Sequence, residues 1–226
     1  MKHRHSATIA AVVGLILLIT GACGDAGGDA GGQPATSGSP VPSVLASPSP
    51  TALTLKILDR TALTGALLQV TDMPTGYSED PDQSPPKDKT FCNYQQPHTP
   101  AVQVTRSFIK GGGLGAEVAA VGLRQYADAA QAAAVFDALV TALQTCKSEK
   151  VDGKPYTYAV MSMPKLGDKT IGVRIDADGA TVLQGFALSG PVLVNAGVGG
   201  LMNVSGDVTA DLLTNQVTRY TDASKG

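Results

Sequence analysis

Residues 170–198 read TIGVRIDADGATVLQGFALSGPVLVNAGV. Ile171, Val173 and Ile175 alternate with Gly172 and Arg174, the period-two pattern of a strand with one buried face. Asp178-Gly179 follows, a pair that tolerates positive φ and suits a tight hairpin turn. Ala180–Leu188 and Val192–Val198 are apolar runs of strand length, divided by the turn signal Gly190-Pro191. Consecutive strands with links this short pair antiparallel.

The same reading extends outward. Upstream, Tyr156–Met163 is another short apolar segment. Before it, Asp128 is placed to cap a helix whose Ala132, Val135, Phe136, Leu139, Val140 and Leu143 form one stripe at i, i+3, i+4 spacing. Cys146 falls on that buried face at the helix end. Val102–Ile109 and Glu117–Tyr126 read as strands, joined by a glycine cluster over Gly111–Gly115. A helix is expected over Thr61–Val70, closed by the turn Asp72-Met73-Pro74-Thr75-Gly76-Tyr77, after which Pro81, Pro85 and Pro86 keep the chain irregular. Downstream, Asp207 is expected to cap a last helix carrying Val208, Leu212, Leu213, Val217 and Tyr220 on one side. Helix, strands, helix, four strands, helix is the order of an α+β domain: an antiparallel β-sheet packed by helices, over residues 53–226.

The N-terminus has another character. Lys2 and Arg4 precede an uncharged, largely aliphatic stretch, then Thr20-Gly21-Ala22-Cys23. Basic, apolar and small residues in that order make a secretory signal peptide over 1–22. The end resembles a bacterial lipobox, with Thr20 at the position usually aliphatic. Cys23 is therefore expected to carry diacylglycerol and an acylated amine; the alternative is a plain cut after Ala22. Each buried methylene adds about 0.8 kcal/mol, so two or three chains hold a protein on a membrane. Of the 29 residues from Gly24 to Ala52, 21 are Gly, Pro, Ser or Ala, which is too little bulk to offset chain entropy. With Cys23 they read as a flexible tether over 23–52, lifting the domain off the extracytoplasmic face of the cell membrane.

Composition narrows the chemistry. With 17 basic and 19 acidic residues there is no electrostatic footprint for nucleic acid. Three cysteines are an odd number for an exported chain. Assigning Cys23 to the anchor leaves Cys92 and Cys146, which lack C-x-x-C spacing and a histidine cluster. A structural disulfide is the expectation, worth on the order of 4 kcal/mol on the chain-entropy model. Removing 1–22 leaves His98 as the sole histidine, in a Pro-flanked loop, so serine or cysteine nucleophiles have almost no base to draw on. Asp176/Asp178 reads as a hairpin turn, lacking the other oxygens of a calcium loop. Glu79-Asp80-Pro81-Asp82 is a second carboxylate group without evident pairing across a cleft. Gly111–Gly115 and Gly197–Gly200 lack the strand-loop-helix setting of a phosphate loop and read as loops between strands. Asn203-Val204-Ser205 matches a glycosylation sequon, but the lipobox resemblance points to a bacterium, where the match is expected to be accidental. No catalytic residue, metal or cofactor is expected.

Three features together resemble the PknH-like extracellular sensor domain of actinobacteria, over roughly Leu55–Tyr220. They are the first helix with Leu67-Leu68 and the Asp72–Tyr77 turn, the Ala-rich helix Ala129–Cys146, and the strands and terminal helix after it. The resemblance implies a ligand- or partner-sensing domain without catalysis, found on receptor Ser/Thr kinases and on free-standing lipoproteins. Members often carry two disulfides and a tryptophan beside the helix-end cysteine; here Gln144-Thr145 precede Cys146. The 226 residues hold no kinase domain, so signalling is expected to need a partner. The expected ligand site is a pocket between the sheet and the Asp128–Cys146 helix. The ligand is an unknown small molecule, or the partner an envelope protein. A lipid or glycolipid carrier is the alternative function, and a hydrolase with an unrecognised site a third.

Overall fold

The structure, a computed structural model, describes residues 55–80, 91–202 and 204–225. Its strands are β1 (Tyr77–Glu79), β2 (Val102–Lys110), β3 (Glu117–Gln125), β4 (Ser148–Val151), β5 (Lys154–Met161), β6 (Lys169–Ala177), β7 (Ala180–Ser189) and β8 (Val192–Gly200). The helices are α1 (Arg60–Gly65), α2 (Ala129–Thr145) and α3 (Gly206–Ser224). All eight strands join one sheet in the order β1-β2-β3-β8-β7-β6-β5-β4, with every neighbouring pair antiparallel. The α+β architecture read from the sequence is the observed one. After β3 the chain crosses the sheet as α2, enters the far edge as β4, and returns strand by strand until β8 lies beside β3.

Both faces of the sheet are covered. On one, Ala132, Val135, Phe136, Leu139 and Leu143 of α2 pack on Val173, Ile175, Val182 and Phe186. On the other, Leu212, Leu213, Val217 and Tyr220 of α3, with Leu63 and Leu67 near α1, pack on Val121, Leu123, Val194 and Val198. Because β8 is buried on both faces, it sends Val192, Val194, Ala196 and Val198 to α3 and Leu193 to the α2 side. That is why it reads as a continuous apolar run. Asp128 caps α2 as expected, its Oδ1 accepting from the Gln131 N–H at 2.8 Å. The α3 cap is Ser205, without a side-chain bond, and Asp207 sits one place inside the first turn. There its charge opposes the positive end of the helix dipole.

Several expectations need correction. The first helix stops at Gly65, not Val70, and Val70–Asp72 form a separate 3₁₀ turn. Gln216 of α3 explains the early stop. Its Nε2 donates to the Ala66 carbonyl at 2.8 Å and its Oε1 accepts from the Leu68 N–H at 2.9 Å, replacing bonds a longer helix would have made. Five strands follow α2 rather than four, because β4 is a short polar edge strand. The three-residue strand β1 starts at Tyr77, the last residue of the expected turn Asp72–Tyr77, and is not expected from the sequence. Asp152-Gly153 makes the same positive-φ hairpin pair (52° and 79°) as Asp178-Gly179 (50° and 81°). Gly197–Gly200 is not a loop: it completes β8, paired to β3 on one side and β7 on the other. Hydrogen bonds to both neighbours outweigh the poor strand propensity of glycine.

Burial also governs the tyrosines. It is the leading cause that raises Tyr77, Tyr94, Tyr126, Tyr158 and Tyr220 above the usual phenol range, Tyr220 to about 12. An unfolded tyrosine ionises near pH 10, so the folded state holds these protons more tightly. The resulting stability is fully present below about pH 10 and is lost as pH rises from there toward the folded values. In a spectrophotometric titration, native protein should ionise fewer tyrosines at pH 10–11 than protein in guanidinium, followed by cooperative alkaline unfolding. Equal ionisation in both states would contradict the buried arrangement.

Candidate functional site

Cys146 lies at the C-terminal cap of α2, 4% exposed, and is joined by a disulfide to Cys92 in the 3₁₀ turn Phe91–Asn93. Their Cα atoms are 5.9 Å apart, well inside the range a disulfide spans. The turn is held further. Glu149 accepts from the Cys92 N–H at 3.1 Å and from the Tyr158 hydroxyl. Phe91 stands edge-on to Tyr158, and the Tyr94 hydroxyl donates to the Val135 carbonyl of α2 at 3.1 Å. Cys92, Cys146 and Glu149 therefore place three metal-type donors together, but the two sulfurs are bonded to each other.

The other residues singled out in the sequence are scattered. His98 is half-buried in a bend after this turn. Asp176 takes two nitrogens of Arg174, at 2.8 and 2.9 Å, and the Thr181 hydroxyl; the Arg174 bond leads the causes holding its carboxyl below the usual range. Asp178 pairs with Lys154 across the hairpin. Glu79 pairs with Arg106 at 3.1 Å, while the Asp80 N–H donates to the Ser107 carbonyl. Gly111–Gly115 joins β2 to β3 as read. Cys23, Pro81, Asp82 and Asn203 lie outside the described residues.

A different group converges, on the α2 side of the central strands. Across the sheet, Gly122 of β3 pairs with Asn195 of β8, which pairs with Phe186 of β7. In the next row Ala120 pairs with Gly197, which pairs with Gln184. Arg124 follows Gly122 along β3, and Tyr126 follows Arg124. Arg124, Gln184 and Asn195 are each 2% exposed or less. Burial pulls the Arg124 guanidinium down, while Tyr126 and Tyr94 push it up. The Tyr126 hydroxyl reaches Gln96 Oε1 at 3.4 Å.

Asn195 is the unusual member. A Cβ on Gly122 would stand 2.6 Å from its Oδ1, so the amide lies directly over the glycine. Neither Oδ1 nor Nδ2 of Asn195 makes a hydrogen bond, nor does Nε2 of Gln96. A buried amide left in this state costs roughly 1–3 kcal/mol. Sequence reading missed the group because Arg124 and Asn195 sit singly inside apolar strand runs. That interruption was the available signal.

An antiparallel sheet between helical layers, with a buried polar group on its α2 side, defines an α+β domain with a candidate binding site at its centre. Among solved structures it is similar to the extracellular domain of PknH from Mycobacterium tuberculosis. The TM-score is 0.52 at 14% identity, over 75% of this chain and 100% of that one. At that identity the likeness establishes a shared fold. No protein-family model matches the sequence, and no curated protein matches it.

The geometry over Gly122 is directly testable. Gly122→Ala should displace the Asn195 amide and cost about 1–3 kcal/mol of stability, read by chemical denaturation. Adding Asn195→Ala should recover part of that loss, since the two sites touch. Strict additivity of the two substitutions would show that the amide lies elsewhere.

Proposed function

We propose that the chain is a non-catalytic lipoprotein of the cell envelope, held by lipid on Cys23, whose domain is a sensor-like module binding a small molecule or an envelope protein. The observation that carries this reading is the fold shared with an extracellular domain. The buried amides without partners supply a place where recognition costs little further desolvation. The Cys92–Cys146 disulfide fits an oxidising compartment outside the cytoplasm. Among the described residues no helix is long and apolar enough to cross a membrane, so anchoring in this reading rests on the N-terminal sequence.

Binding is tested by native mass spectrometry of the full chain from mild detergent. A co-purifying small solute is the expected result; an acyl lipid held stoichiometrically by the domain would replace the sensor with a carrier. Anchoring is tested separately by fractionating a Cys23→Ala variant, which should leave the membrane. A variant that stays membrane-bound would assign attachment to an uncleaved N-terminal segment.

A further inference from the structure

Among the described residues, β3 and β8 are the one pair of neighbouring strands that are not consecutive in the chain. Gly190-Pro191 sets β7 against β8, and Asp178-Gly179 sets β6 against β7. No turn sets how far β3 slides along β8. The apolar pattern of the α3 side does not set it either. There the register gives Val121↔Ala196 and Leu123↔Val194; a shift of two residues would give Val121↔Val194 or Val121↔Val198, apolar opposite apolar again. Such a shift keeps every side chain on its own face.

The α2 side discriminates. Asn195 is 1% exposed, and neither of its amide atoms makes a hydrogen bond. The amide lies over Gly122: a Cβ there would stand 2.6 Å from Oδ1 and 3.3 Å from Nδ2. Phe186, also buried, is the partner of Asn195 on the other flank. Gly122 is the only glycine of β3. A shift of two residues would bring Asn195 opposite Ala120 or Arg124, each with a Cβ where the amide now lies, while the β7–β8 hairpin would keep Phe186 in place.

We infer that Asn195 and Gly122 form a register key: the amide seats in the one notch of β3 and so selects a single alignment of the two halves of the sheet. Small apolar residues alone leave several alignments close in energy; a side chain that fits opposite one residue only separates them. The missing hydrogen bonds cost stability, and registry is the best-attested use of a buried polar group kept at such a cost. The key acts whether or not the domain binds a solute, and is separate from the binding role proposed above.

The test moves the notch. Combining Ala120→Gly with Gly122→Ala keeps the composition and puts the glycine two residues earlier on the same face. In the isotope-labelled full chain in mild detergent, NMR contacts between Hα protons report the alignment. Val121 meets Ala196 in the native register and would meet Val194 once Asn195 stands opposite residue 120. Wild type should show the first contact and not the second. The exchanged variant should show the second, alone or as a second resolved set. Adding Asn195→Ala to the exchange should restore the first contact and abolish the second, because no amide then needs the notch. An exchanged variant that keeps only the native contact would overturn the key. So would a shifted contact that persists in the triple variant. Where the exchanged variant does not fold, the triple variant decides. Recovery of folding in the native register supports the key, and failure to fold shows that the amide is not what sets the alignment.

Discussion

The pairing of β3 with β8 is the constraint on which the rest of the molecule depends. It runs in register from Glu117↔Gly200 to Gln125↔Val192 and joins strands that α2 and the whole β4–β7 meander separate along the chain. Without it the protein is a short N-terminal sheet beside a five-stranded one, each with an open edge. With it the sheet is continuous, and the parity of every inward side chain is set, because a slip of one residue would turn each strand over. Closing so long a loop costs entropy that only the contacts on both faces offset. The seam carries small residues on the α2 side, Ala120, Gly122, Gly197 and Gly199, where the two halves meet.

Polar groups inside this frame divide by what they do. Gln216 and Gln125 each hold irregular backbone, the first where α1 ends and the second at Leu58. Arg106 acts similarly, donating to the Leu68 carbonyl at 2.8 Å while pairing with Glu79. These bonds fasten the segments that enter and leave α1, where no ladder is available. Asn195 fastens nothing. Its position at the seam, over a glycine, is where a fold that needed only stability would place an apolar side chain. The disulfide belongs to the same side of the sheet, holding the turn from which Tyr94 bonds α2 and near which Gln96 meets Tyr126.

Most of the architecture was legible in local pattern. Alternation marked β6, apolar runs marked β7 and β8, the stripe from Ala132 to Leu143 marked α2, and Asp178-Gly179 marked its hairpin. The misses have physical causes. Strands of three and four residues, β1 and β4, are too short for alternation to register and exist because a neighbour pairs with them. The helix expected to Val70 carries a genuine apolar stripe, since Ala66, Leu67 and Leu68 are all buried; it ends early because Gln216 competes for its backbone. Gly197–Gly200 has the composition of a loop and becomes strand because both its neighbours are strands.

By itself, the sequence determined the fold class and the antiparallel direction of the strands, because short links and period-two alternation act locally; the bond between Cys92 and Cys146, an expectation from the sequence, is present in the structure. Tertiary structure alone decided which faces meet. Nothing in the chain near Gly122 announces Asn195, and nothing near Asn195 announces Arg124. They come together only because β3 and β8, distant in the chain, share one register at the centre of the sheet. A buried amide without a partner is a property of that meeting rather than of any stretch of residues, and so it is visible only once the sheet is closed.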